Sequence, residues 1–219
     1  MQVAPALLNS LYLGGNAIGA PGLHHLLGAL HAAPALETLV LASNELGADA
    51  MSAFTQLTAA GAGCRALRHL ALQQNHIGDG GSATLAGAMS AGALPRLQWL
   101  YAGENAIGDA GVVALAVALE SGACAGLRRL GLQANSFGDP GLSALGAALA
   151  AGAMPECELL YVIGNPFTSG GREALTQVIA EMELQVHFGW PPPRTKSFLI
   201  TPPDRFAQDE SQPTRTLAA

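Results

Sequence analysis

Four residues of this chain have the side chains best suited to gripping another molecule: His69, Trp99, Tyr101 and Arg129. Trp, Tyr and Arg dominate the energetics of protein interfaces because they pair a large rigid surface with hydrogen-bond donors. Their spacing matters as much as their type. Trp99 and Tyr101 alternate, so an extended segment presents both on one side. His69 and Arg129 lie 30 residues before and after Trp99. Gln73 and Gln133 stand at matching offsets, and all three tyrosines, Tyr12, Tyr101 and Tyr161, fall at one phase of the same spacing. Glu104 is expected at the rim. The set holds no carboxylate pair and no nucleophile with a base, so its chemistry is recognition, not catalysis. Elsewhere the chain lacks H-E-x-x-H, G-x-S-x-G and C-x-x-C, and no G-x-G-x-x-G follows a strand. His24, His25 and His31 run along one predicted helix, but a metal needs further ligands. No metal or cofactor is expected.

The spacing belongs to the whole chain. Asn16, Asn44, Asn75, Asn105, Asn135 and Asn165 are 28, 31, 30, 30 and 30 residues apart. Before each comes an apolar triplet such as Leu36-Leu39-Leu41, Leu67-Leu70-Leu72 or Leu127-Leu130-Leu132. After each comes Ile18, Leu46, Ile77, Ile107, Phe137 or Phe167, and a glycine follows in five of the six. Around the triplet the apolar period is two, as a strand requires. Beyond the glycine it becomes helical, with Val112, Leu115 and Leu119 or Leu142, Leu145 and Leu149 on one face. Asp79, Asp109 and Asp139 stand where each could cap the helix that it opens. One strand–turn–helix unit cannot bury its apolar face alone, whereas a stack of them can. The expected architecture is α/β: six such repeats, with a parallel sheet on the concave face and helices outside. The Asn row is expected to bond neighbouring backbone. Residues flanking the triplets then point to the concave side, with Ala71 and Gly131 leaving the flanks of Tyr101 open.

The pattern L-x-x-L-x-L-x-x-N-x-[ILF]-G over residues 6–190 resembles the leucine-rich repeat family. The string Asn-x-Ile-Gly-Asp-x-Gly, clearest at Asn75–Gly81 and Asn105–Gly111, is similar to the ribonuclease-inhibitor subtype. The resemblance implies a horseshoe solenoid that binds a protein or peptide on its concave face without enzymatic activity. Two other readings follow from it: a GTPase activator resembling the Ran GTPase activators, and a truncated repeat part of an immune receptor or effector. Six strands at about 4.8 Å and four residues at about 3.3 Å give a floor of roughly 300–350 Å². A standard interface takes about 800 Å² per partner, so the floor suits a peptide or a loop.

Composition narrows the classes further. Ten basic residues against sixteen acidic, with Lys196 the single lysine, exclude a phosphate-tracking nucleic-acid binder. The apolar run from Pro140 to Pro155 is too short and too rich in Gly and Ala for a membrane span. Cys64, Cys124 and Cys157 have no metal spacing and read as core thiols of a cytoplasmic protein. Residues 1–190 form the expected repeat domain, closed by a strand through Leu184, Val186, Phe188 and Trp190. Residues 191–219 read as a Pro-rich, disordered tail. Few residues precede the first repeat, so Leu7 and Leu8 are expected to offer apolar surface for an end-on contact.

Overall fold

The computed structural model describes residues 8–30, 33–59, 64–180, 182 and 184–188. Leu7, His31, Trp190 and the tail at 191–219 lie outside them. Strand and helix alternate along the chain. The order is β1 (Ser10–Tyr12), α1 (Gly19–Leu30), β2 (Thr38–Val40), α2 (Ala48–Met51), α3 (Ala53–Ala59), β3 (His69–Ala71) and α4 (Gly78–Ser90), followed by β4 (Trp99–Tyr101), α5 (Asp109–Glu120), β5 (Arg129–Gly131), α6 (Asp139–Ala150), β6 (Leu159–Tyr161), α7 (Ser169–Ile179) and β7 (Gln185–His187). The strands form one parallel sheet in sequence order, β1 to β7. The sheet thus has one strand more than the six repeats, and β7, around Val186, is the expected closing strand.

The alternation in each strand is the reason for the layers. Leu39, Leu70, Leu100, Leu130 and Leu160 point inward and are buried, while most of their neighbours on both sides are half-exposed. Helical faces such as Val112, Leu115, Ala116 and Leu119 close over them. The core is one continuous cluster running through the stack. Packed helices need about 8–10 Å between axes but parallel strands only about 4.8 Å, so the stack bends with the sheet inside. That geometry makes the helix-free face of the sheet concave.

Asparagine side chains stitch one repeat to the next. Asn75 Oδ1 accepts from the backbone N–H of Asn44 and Leu46, and its Nδ2 donates to the carbonyls of Leu41 and Leu72. Asn135 repeats this with Asn105, Ile107, Ala102 and Leu132. The residue before each Asn is left-handed in all six repeats: Gly15, Ser43, Gln74, Glu104, Ala134 and Gly164, with φ between 51° and 77°.

The aspartates act differently from expectation. None caps its own helix. Asp79 accepts instead from the N–H groups of Gly108 and Gly111, at 2.6 and 2.9 Å, where α5 begins. Asp109 does the same for Gly138 and Gly141, both at 2.8 Å, and Asp139 for Thr168. Stacking brings the first amides of each helix over the carboxylate of the repeat before it, so the cap is passed down the stack. A carboxylate there also faces the positive end of the next helix dipole.

Candidate functional site

Strand register brings the predicted residues together. His69 pairs with Trp99 and Trp99 with Arg129 across β3, β4 and β5. The 30-residue spacing has become direct adjacency. The His69 and Trp99 rings stack with centroids 3.8 Å apart and planes 19° from parallel. The Arg129 guanidinium carbon lies 4.5 Å from the Trp99 ring centroid, a cation–π contact. The Tyr101 hydroxyl lies within electrostatic reach of the same guanidinium. At the other end of the row, Thr38 Oγ1 meets His69 Nδ1 at 3.1 Å. The result is one continuous, half-buried stack across four strands.

Gly131 is where the geometry departs from expectation. The side of Tyr101 facing it is filled, not open. A Cβ on Gly131 would meet Tyr101 Cδ1 at 2.7 Å and Gln133 Oε1 at 3.0 Å. The ring leans over the glycine toward Arg129, and Gln133 folds beside it over Gly103. Tyr161 stands on the next strand and stacks on His187, with centroids 5.0 Å apart. Tyr12 shares the phase but lies three strands from Tyr101 and is 53% exposed, so it stands apart from the cluster. Glu104 is at the rim as expected. Its backbone is left-handed, and its carboxylate accepts from Gln74, whose Oε1 accepts from Ser43. The repeat spacing does not mark His187, because the strand that carries it closes the stack after the last repeat.

Electrostatics set this face apart from its surroundings. Arg68 pairs with Glu37, and Arg128 with Glu156 and Glu158. Among the described residues no carboxylate comes within ion-pair distance of Arg129. Its Nε is buried without an acceptor, and the buried Oε1 atoms of Gln73 and Gln133 receive no donor. The other two such atoms, on Asn44 and Asn165, belong to the second and the last asparagine of the row. Burial raises the Tyr101 hydroxyl above its ordinary value, opposed by Arg129. Tyr161 is raised by burial and by Tyr101, again opposed by Arg129.

His69 is held below its ordinary 6.5, first by burial, against which Glu37 acts, and then by Arg68 and Arg129. Burial lowers His187 as well. Both rings are therefore kept neutral by the fold. As pH falls below about 6.5 the unfolded chain takes up protons before the folded one, so this stability is present above 6.5 and lost on acidification. A melt at pH 5 is expected to show a lower Tm than at pH 7.5, with a smaller drop in His69→Gln/His187→Gln. Equal drops in the two proteins would remove these rings as the cause.

Elsewhere among the described residues there is one Ser–His contact. Ser52 Oγ lies 3.1 Å from His24 Nε2, while Gln56 Nε2 sits 2.9 Å from His24 Nδ1. The serine hydroxyl donates to the carbonyl of Asp49, and the ring lone pair on Nδ1 takes the Gln56 amide. The ring thus donates to Ser52 and has no lone pair aimed at it, which is the reverse of what a general base needs. Burial pushes the thiols of Cys64 and Cys124 up to about 11 and about 12, far from reactive thiolates. No metal-binding cluster occurs among the described residues, and no helix among them is long and apolar enough to cross a membrane.

The stacked strand–helix units on an open seven-stranded parallel sheet make this protein a leucine-rich repeat solenoid. A family model described as "Leucine Rich repeat" matches residues 63–86 and 103–116. Among solved structures the chain is similar to a Bacteroides fragilis protein, at 13% identity over 84% of this chain and 68% of that one, with a TM-score of 0.33. It is similar also to a TDR receptor, at 16% identity over 74% of this chain and 36% of that one, TM-score 0.34. An internalin from Listeria monocytogenes matches at 12% identity over 82% and 86%, TM-score 0.23. No curated protein matches the sequence.

Proposed function

We propose that the protein is a non-enzymatic interaction module of the ribonuclease-inhibitor-like subtype, and that it binds a peptide or loop of another protein on its concave face. The observation that carries this reading is the His69–Trp99–Arg129–Tyr101 cluster, a row of rings around one guanidinium that has no carboxylate within ion-pair distance among the described residues. The half-buried aromatics supply a flat surface with little rotamer entropy to lose. Tyr161 and His187 extend that surface toward β7, and Gln73 and Gln133 line its far edge.

The test is a displayed random-octapeptide library panned against the full chain and against Trp99→Ala/Tyr101→Ala, with circular dichroism to show that both are folded. Sequences enriched on the native protein are expected to lose binding to the double variant by about a hundredfold, the scale of two interface anchors at 1–2 kcal/mol each. Peptides bound equally by both proteins would place recognition somewhere else.

A further inference from the structure

We infer that the segment bound on the concave face carries an acidic side chain, Asp or Glu, and that Arg129 receives its carboxylate. The inference rests on the concave-face reading above and specifies its chemistry. The chain has a net charge of −6. Yet the strand residues that form the concave floor, from Ser10–Tyr12 to Gln185–His187, include Arg129, His69 and His187 and not one Asp or Glu. Burial keeps both histidines neutral, so Arg129 is the one charged side chain on those strands.

The Arg129 guanidinium has five N–H donors, with the Tyr101 hydroxyl within electrostatic reach and the ring face of Trp99 against it. Its nearest equivalents, Arg68 and Arg128, each hold a glutamate. Among the described residues Arg129 holds none. The contact with Trp99 holds the guanidinium in place, and its planar fork matches the two-oxygen geometry of a carboxylate. The Tyr101 hydroxyl, close enough to Arg129 to feel its charge, is a donor for the same anion.

A side chain within a segment fits better than a chain end. Arg129 lies on β5, with strands on both sides of it and a continuous floor in either direction.

The octapeptides enriched in the panning above provide the probes, each resynthesised with its Asp or Glu changed to Asn or Gln and with a C-terminal amide. They are titrated against the native protein, Arg129→Gln and Trp99→Ala/Tyr101→Ala. The expected result is enrichment in Asp and Glu, at least about a tenfold loss of affinity on amidation of the acidic side chain, and no such loss with Arg129→Gln. A charge-assisted hydrogen bond at about 1.5–3 kcal/mol sets that scale. Enriched peptides with no acidic preference, which Trp99→Ala/Tyr101→Ala still releases, would overturn the acidic partner while leaving the concave-face reading intact. So would affinity that falls only with the C-terminal amide, or an acidic preference that persists in Arg129→Gln. No enrichment, or peptides indifferent to Trp99→Ala/Tyr101→Ala, would overturn both.

Discussion

Replacing Asn135 with Ala is expected to lower the unfolding free energy by about 4 kcal/mol, against a total of about 5–15 kcal/mol for a typical domain. The side chain makes four hydrogen bonds, all to backbone. Its Oδ1 accepts from Asn105 and Ile107 at 2.9 and 3.1 Å, and its Nδ2 donates to Ala102 and Leu132 at 2.9 and 3.1 Å. Alanine leaves those groups orphaned in a place that is 7% exposed or less. Each orphan costs about 1–3 kcal/mol, less whatever a water entering the gap restores. Asn135→Asp fares little better, because it keeps the two acceptor bonds but turns a buried carboxylate oxygen toward two carbonyls. Asn16 is the control. It is exposed and reaches only Leu13 and Gly14, so Asn16→Ala should cost under about 1 kcal/mol. Urea unfolding of the two variants decides the matter. Costs within about 1 kcal/mol of each other would mean that the asparagine row does not hold the stack together.

Position in a repeat was readable from the chain wherever one residue type fills one role. Leucine at Leu70, Leu100 and Leu130 has no use but the core, so period and burial agree. Asparagine is the side chain that can accept two N–H groups and donate to two carbonyls at once, so its row predicted its own bonding. The aspartates misled because capping is a rule about a residue's own helix. Which helix lies above Asp79 depends on the offset between stacked repeats, and no local pattern encodes that offset. The left-handed residue before each Asn was hidden for another reason. Gly15 and Gly164 signal it, but Ser43, Gln74, Glu104 and Ala134 accept the strain, and their types give no sign of it. At the site, spacing correctly placed His69, Trp99 and Arg129 side by side, since parallel register follows from equal repeat length. Equal phase is not proximity, however. Tyr12 shares the row of Tyr101 from three strands away, and the lean of Tyr101 over Gly131 is a rotamer choice that spacing cannot express.

Two glycine-to-alanine changes in neighbouring helices are expected to shift stability in opposite directions. Gly111 lies in the first turn of α5, where the preceding repeat approaches most closely. A Cβ there would meet Asp79 Oδ1 and Ile107 Cγ2 at 2.7 Å and Asp79 Cα at 3.0 Å. The last of these is backbone and cannot swing aside. Gly111→Ala should therefore destabilise by about 2–3 kcal/mol through overpacking, and it also loosens the N–H of residue 111 from its cap on Asp79. Gly87, inside α4, has nothing within 4 Å of where its Cβ would be. Gly87→Ala should stabilise by about 0.5–1 kcal/mol, because it removes backbone freedom only from the unfolded chain. Asp79→Ala/Gly111→Ala separates crowding from capping: if the clash with the carboxylate dominates, the double variant costs less than the sum of the two single changes. Strict additivity would locate the strain against the Asp79 backbone. The same crowding recurs at Gly81, Gly141 and Gly171, against Ala48, Asp109 and Asp139. A glycine stands six residues after five of the six asparagines, with Ala50 after Asn44 the exception, and at the crowded positions it conditions stacking as the asparagine does. If Gly111→Ala proves neutral, the repeats are held apart more loosely than this geometry requires.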